Sequence, residues 1–350
     1  MARVWGPFDR ETVTEKTSTS ETVMVMATQE LPPRSQDRDL IHEALLYRTP
    51  EAFAEQVSAF VCAGQTAGEP VLAVLPPDSL QCAQRALAAR AAEVQWESMV
   101  ELGRNPSCLL SVYQDWIDLH PGPVRVIGEP VWPGRSYAET TECLRHEALL
   151  NHELAGAPVS ALCPYDAARL DGAVLTGAEL THPQLVDDAG RRRVSARYDA
   201  PLEVATGARW PQPEPIEPIS EHAFSGDLRS LRHAVAGDAV AQDLDRERRS
   251  DLVFAISEAA SNALKHGDGT CTVRLWSDGD EVVGEVVTPS ALTDLLAGRR
   301  RPDWNAVDGR GLWLINQICD LVELRGDERA TVLRMHLHVA VVPFTGRALG

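Results

Sequence analysis

Residues 256–267 read ISEAASNALKHG, and the meaning of this stretch decides how the second half of the chain folds. Glu258 and Asn262 stand four residues apart, Lys265 and His266 follow on the next turn, and Gly267 closes the run. Residues four apart share one face of an α-helix. Around them Leu252, Val253, Ile256, Ala259, Ala260 and Ala263 recur at helical spacing and form an apolar stripe. A carboxylate and an amide are poor choices for a face packed into an apolar core. The pair is therefore either a surface seam or a site, and the rest of the chain decides which.

The chain has 350 residues, enough for two or three domains with their own cores. A net charge of −18 and a pI near 5.0 exclude a general nucleic-acid binder. The arginine runs 191–193 and 299–301 are short and flank expected loops, so they read as solvated loop or anion contacts. Seven cysteines at irregular spacing, with no CxxC, point to reduced thiols in a cytoplasmic protein. No apolar run approaches the ~20 residues of a membrane helix, and the first residues lack the order of a signal peptide. Met24 and Met26 are alternative candidates for the start.

Four segments follow from composition and periodicity. Residues 1–38 read as a disordered arm, rich in Ser, Thr, Glu and Pro. From 39 to 198 strand patterns (69–77, 94–96, 123–130, 159–166) alternate with helix patterns (50–64, 79–93, a helix running to His120, 137–153), which predicts a mostly parallel α/β sheet. Its strand-to-loop junctions at 128–132 and 163–166 are where such sheets place ligands. Residues 199–221 include PQPEPIEPIS and read as a semi-extended linker. From 222 to 345 the order is strand, helix, helix, two strands, loop, helix, two strands, a two-layer α/β sandwich with mainly antiparallel strands.

A second motif answers the first. In AVDGRGLWLINQICD (306–320), Gly309 and Gly311 precede a helix. Bare backbone N–H groups at a helix start donate to phosphate oxygens, and the helix dipole favours the anion. An amide oxygen can ligate Mg²⁺, and a carboxylate nearby can position or deprotonate a nucleophile. Either motif alone is common; their order and setting over 222–340, with the string GRGLWLINQICDLVELR, resemble the N box and glycine box of the GHKL ATPase fold, in particular the anti-sigma-factor serine/threonine kinases. The resemblance implies ATP and Mg²⁺ as cofactors, with Asn262 holding the metal and Glu258 acting as general base. It implies Lys265 or His266 near the phosphates and Gly309, Arg310, Gly311 and Leu312 at the nucleotide lid.

One position departs from that pattern. The family places an adenine-reading aspartate after the second central strand; in EVVGEVVTPSALTDLLAGRRRP (281–302) Thr288 takes its place. Loss of one charge-assisted hydrogen bond costs ~1.5–3 kcal/mol, or roughly ten- to a hundred-fold in affinity. Asp294 stands too far along the chain to substitute without a shifted loop. An active kinase and a non-catalytic binding module both remain open.

The strings MVELGRNPS, IGEPVWPGRS, ECLRHEALLNHEL and ALCPYD resemble the MEDS sensory domain over about 39–195. That resemblance implies small-molecule sensing. Glu129 and Arg135 flank a Pro- and Gly-shaped loop beside Trp132, a candidate ligand mouth in which Trp132 has bracing of the loop as its alternative role. HEALLNHE (146–153) is no zinc motif, because histidines six apart cannot share a helix face. RHEALL mimics the phospho-acceptor box of a sensor histidine kinase, a third function class, but sits in an α/β context. Cys143 and Cys163 read as packing residues. The expected partners are a sigma factor or an anti-anti-sigma (STAS-type) protein, with a homodimer by analogy, and no nucleic acid or membrane.

Overall fold

The computed structural model describes residues 39–339 except 200, 208–209, 214–219, 243, 268 and 304–308. The expected arm at 1–38, the alternative starts, much of the linker and residues 306–308 of the glycine motif lie outside the described residues. The N-terminal half is built from β1 (Ile41–Tyr47), α1 (Pro50–Ala67), β2 (Val71–Leu75), α2 (Pro77–Leu87), β3 (Val94–Ser98), α3 (Met99–Leu102), α4 (Leu109–Leu119), β4 (Val124–Gly128), α5 (Tyr137–Glu153), β5 (Val159–Asp166), α6 (Gly172–Thr181), β6 (Gln184–Val186), β7 (Arg192–Val194) and α7 (Pro201–Ala205). The C-terminal half follows with β8 (Ser220–Phe224), α8 (Leu228–Ala241), α9 (Arg246–His266), β9 (Cys271–Asp278), β10 (Glu281–Thr288), α10 (Arg310–Ile318), β11 (Leu321–Gly326) and β12 (Thr331–His338).

The first sheet runs β3-β2-β4-β5-β1-β6-β7, parallel except for β6 against β7. Strands buried on both faces must be apolar on both, and β2 (VLAVL) is. Val71, Ala73 and Leu75 pack with Phe53, Val57 and Val61 of α1, while Leu72 and Val74 turn to the layer of α4 and α5. Helix α5 begins with a capping box in which Ser136 and Glu139 exchange hydrogen bonds, Glu139 N–H to Ser136 Oγ at 3.2 Å and Ser136 N–H to Glu139 Oε2 at 2.8 Å.

The second sheet runs β11-β12-β10-β9-β8 and is antiparallel at every pairing. One face packs Val273, Leu275, Val286 and Met335 under α8, α9 and α10. Its other face is a ladder of charges: Arg334 pairs with Glu285 at 2.8 Å, and His336 bridges Glu281 at 2.9 Å and Glu323 at 3.2 Å. Glycine 284 lets β10 approach α9, since a Cβ there would stand 3.1 Å from Ile256 and Leu252 methyls.

Two expectations change. Residues 201–205 are not semi-extended linker; Val204 and Ala205 are buried against α5 and belong to the N-terminal core. Nor is the 299–301 run a solvated loop. Arg299 donates to Glu142 at 2.8 Å with both side chains buried, Arg300 forks onto Glu153 at 2.6 and 2.8 Å, and Arg301 meets Asp115 at 3.2 Å. All three carboxylates belong to α4 and α5, so the run docks the two halves together.

Candidate functional site

Helix α9 sets the geometry of the site. Asp245 caps it by accepting from Arg248 N–H at 2.8 Å, and Leu252, Ala255, Ile256, Ala259, Ala260 and Ala263 bury one stripe in the second core. Glu258 and Asn262 emerge on the flank that faces the start of α10. A Cβ built on Gly311 would lie 2.9 Å from Glu258 Oε2 and 3.8 Å from Asn262 Nδ2, so the two side chains meet bare backbone there. Gly309, with φ of 89°, is the N-cap of α10 in the left-handed region that glycine adopts at no cost.

Between these elements lies a cavity of about 310 Å³, at the small end of the roughly 300–1,000 Å³ that ligand sites occupy. Its walls carry Asn262, His266, Thr288, Gly309, Gly311 and Leu312, together with apolar Ala259, Ala263, Val286, Leu324 and Leu333. Among the sequence-predicted residues, Lys265 and Arg310 are exposed and lie outside this lining, and Glu258 reaches the Gly311 turn from the side. Thr288 ends β10 under the last turn of α9. A Cβ on Gly267 would meet Ala263 O at 2.8 Å and the Thr288 methyl at 3.0 Å. Glycine at 267 thus serves close approach; its φ of −109° needs no left-handed backbone.

The sequence reading did not single out the wall residues Leu292, Ala297 and Thr331, and it set Asp294 aside. After β10 the chain folds back: Ser290 N–H bonds Thr288 O at 2.8 Å, Leu292 N–H bonds Asp327 O at 3.1 Å, and Thr331 Oγ1 donates to Ser290 O at 2.8 Å. That reversal brings Asp294 to the lining of the same cavity as Thr288, by a loop closure that spacing along the chain does not show. The Asp294 carboxylate accepts from Leu296 N–H at 2.9 Å and lies 3.7 Å from Arg300. Spacing could not reveal it; only the loop closure does.

The cavity wall is also tied to the N-terminal half. Asn316 of α10 donates to Gly298 O at 2.8 Å, and its backbone O accepts from Asn105 at 2.9 Å and from the Cys108 thiol at 3.1 Å. Arg145 of α5 donates to Ala205 O and to Leu324 O, each at 2.7 Å, and also pairs with Glu142. Arg104 reaches Asp320 at 2.5 Å, which Arg248 holds from α9 at 2.6 Å.

In the N-terminal half the predicted mouth separates into two places. Glu129 directly follows β4 and accepts from Tyr47 Oη, at the end of β1, at 2.8 Å. Burial pushes its carboxyl up to about 7, with the hydrogen bonds from Ser79 and Tyr47 opposing the shift. Arg135 instead stacks over Trp132, 3.8 Å from the ring centroid, and donates to Gly103 O at 2.6 Å and Glu139 at 3.1 Å. With its side chain 1% exposed, Arg135 braces the loop with Trp132 and does not pair with Glu129 across an opening. His146 is buried, and burial holds its imidazole well below the ordinary range. A histidine sealed in the core cannot meet the γ-phosphate of ATP, which removes it as a phospho-acceptor.

Comparisons with known proteins divide the chain at the same boundary. Residues 41–183 match the family described as MEDS, the methanogen/methylotroph DcmR sensory domain, and residues 223–337 match the histidine kinase-like ATPase domain. No curated protein matches. Among solved structures, the RsbU and RsbW domains of a Mycobacterium tuberculosis protein align at 17% identity and a TM-score of 0.27, over 35% of this chain and 33% of that one. The histidine kinase domain of the E. coli osmosensor EnvZ aligns at 18% identity and 0.22, over 38% of this chain and 97% of that one. Among the described residues no helix is long and apolar enough to cross a membrane.

Proposed function

We propose that this chain, a MEDS domain followed by a histidine kinase-like ATPase domain, is a cytoplasmic regulator that binds ATP–Mg²⁺ and acts on a sigma factor or an anti-anti-sigma (STAS-type) partner. The observation that carries the reading is the approach of Glu258 and Asn262 to the bare Gly311 backbone at the rim of the cavity, where a Cβ would stand 2.9 Å from the Glu258 carboxylate and 3.8 Å from the Asn262 amide. Apolar walls with a few polar groups suit a flat heterocycle, and the α10 start offers N–H groups to phosphates. Asn262 would hold Mg²⁺, which neutralises charge on the transferring phosphoryl group when bound. Glu258 would orient the serine hydroxyl of the partner and take its proton.

A second reading, a non-catalytic module that captures its partner, is favoured by Thr288, which offers the cavity a neutral hydroxyl in place of a carboxylate. Calorimetry with Mg-ATP separates the two. The native chain is expected to bind, and Asn262→Ala to lose the Mg²⁺-dependent part. Thr288→Asp is expected to tighten binding by roughly ten- to a hundred-fold. Glu258→Gln should keep binding and lose transfer to a partner serine. No heat at millimolar Mg-ATP from native and Thr288→Asp protein alike would remove ATP from the reading.

Control by the N-terminal half has a physical route. The segment 289–303 forms one cavity wall and docks through Arg299, Arg300 and Arg301 on α4 and α5. A change in the seat of α5 would move that wall.

A further inference from the structure

Four side chains that could ligate a metal converge inside the N-terminal half, away from the ATPase cavity. They are His42 on β1, Glu147 on α5, Cys163 on β5 and His182 just after α6, all buried, with ligand atoms within 4.8 Å of one another. His42 Nε2 lies 3.0 Å from Glu147 Oε2 and 3.4 Å from Cys163 Sγ; Glu147 Oε2 lies 3.4 Å from Cys163 Sγ and 3.6 Å from His182 Nε2. Tetrahedral donors bound at about 2.0–2.3 Å stand roughly 3.3–3.7 Å apart, so these separations are close to the edges of such a site.

The surrounding hydrogen bonds decide where the protons are. Asn151 Nδ2 donates to Thr181 O at 2.7 Å and Glu147 O at 3.1 Å, so its Oδ1 is the atom facing His42 Nδ1 at 3.0 Å. His42 Nδ1 must then carry a hydrogen, and Nε2 is the ring atom turned inward. His182 Nδ1 donates to Ala178 O at 2.9 Å, and its Nε2, buried and also turned inward, has no hydrogen-bond partner. Two imidazole Nε2 atoms, a carboxylate oxygen and a thiol thus share one point. A cation would satisfy all four, and outer partners that fix both imidazoles are what ligating histidines need.

We propose that His42, Glu147, Cys163 and His182 form a closed four-ligand site for a borderline-soft divalent cation, Zn²⁺ first. Mixed N, S and O donors with no open position select that ion and a structural role. Binding breaks the Cys163 S–H bond, forms a metal–thiolate bond and releases the proton to solvent. Thiolate and carboxylate then balance the two charges of the ion, which suits full burial. The site joins β1, β5, α6 and α5, the helix that carries Glu142 to the ATPase half.

The test uses the full chain purified without chelator. Elemental analysis should find about one zinc per chain. After stripping, Co²⁺ should restore one equivalent with the intense visible bands of a tetrahedral ion and a near-ultraviolet sulfur-to-cobalt band. Cys163→Ser should lose the sulfur band, and His182→Gln should weaken Co²⁺ binding by at least tenfold. A folded native chain, as judged by circular dichroism, that carries no zinc and takes up no Co²⁺ would overturn the proposal. So would a cobalt spectrum unchanged in both variants, which would put the ion elsewhere. If neither variant folds, the sulfur band in the native chain decides.

Discussion

Helices α5 and α9 pose the same problem in the two halves of the molecule and solve it differently. Each is long, α5 buried on every side over 141–151 and α9 along one stripe, and each carries acid and amide side chains where apolar ones would pack. On α5 the two buried acids are answered by protein. Glu142, 0% exposed, meets Arg145 and Arg299, with Arg325 at 3.5 Å, and Glu147 meets His42, Cys163 and His182. On α9 Asn262 opens onto a cavity and Glu258 onto a glycine turn. A polar group in a buried helix is structural when its surroundings are filled by partners, and a site when one side is left to space. The same residue types therefore carry opposite consequences for mutation.

The largest effect should come from a matched pair of truncations. Glu142→Ala leaves the buried Arg145 and Arg299 guanidinium groups without their carboxylate, and should cost about 3–5 kcal/mol in urea unfolding. Glu258→Ala should stay within about 0.5 kcal/mol, because nothing buried depends on it. Equal losses from the two would break the contrast between the helices.

A middle-sized effect isolates Glu129, whose burial outweighs the opposing pull of Ser79, Tyr47 and the more distant Arg169. Its carboxyl sits at about 7 against an ordinary 4.5, so the folded chain holds this proton more tightly than the unfolded chain. The resulting stabilisation is complete below pH 4.5 and is lost as pH rises through 7. Glu129→Gln presents a neutral acceptor to Tyr47 at every pH. The variant should be more stable than the native chain by roughly 1–3 kcal/mol at pH 8, with the gap closing as pH falls toward 4.5. Urea midpoints across that range check it; a pH-independent gap would mean that burial does not hold the proton on this carboxyl.

How much was legible in the sequence follows from the reach of each interaction. The spans 137–153, 159–166, 246–266 and 331–338 were readable to the residue, because caps, glycines and apolar periods are local. Strand β1 was not: IHEALLY carries His42 and Glu43 inside a central strand, and those polar residues are tolerated only because Glu147, Cys163 and Arg192 meet them. The metal-type cluster draws one residue from each of four elements, so no spacing announces it. HEALLNHE was rightly refused as a zinc helix, yet Glu147 within it gains its partners through the sheet. Arg299 and Glu142 stand 157 positions apart, which is why a docking run looked like a solvated loop. Glu258, Asn262 and the glycines were legible as neighbours because a helix period and a helix start are local, whereas the wall at Asp294 depends on how a loop closes.

The smallest effect tests whether the arginine run acts residue by residue. Arg299 and Arg301 share a charge and a neighbourhood, but Arg299 is 2% exposed whereas the Arg301 side chain is 38% exposed and its partner Asp115 is 30% exposed. Water and salt screen the outer pair, and its 3.2 Å contact gains little beyond the entropy of holding two side chains. Arg301→Ala should therefore shift urea unfolding by no more than about 0.5 kcal/mol, and high salt should erase the shift. Arg299→Ala under the same conditions should cost several-fold more and resist salt, because its carboxylate is sealed. A loss above about 1 kcal/mol from Arg301→Ala that persists in salt would show the run to be one cooperative clamp, graded by connectivity and not by burial.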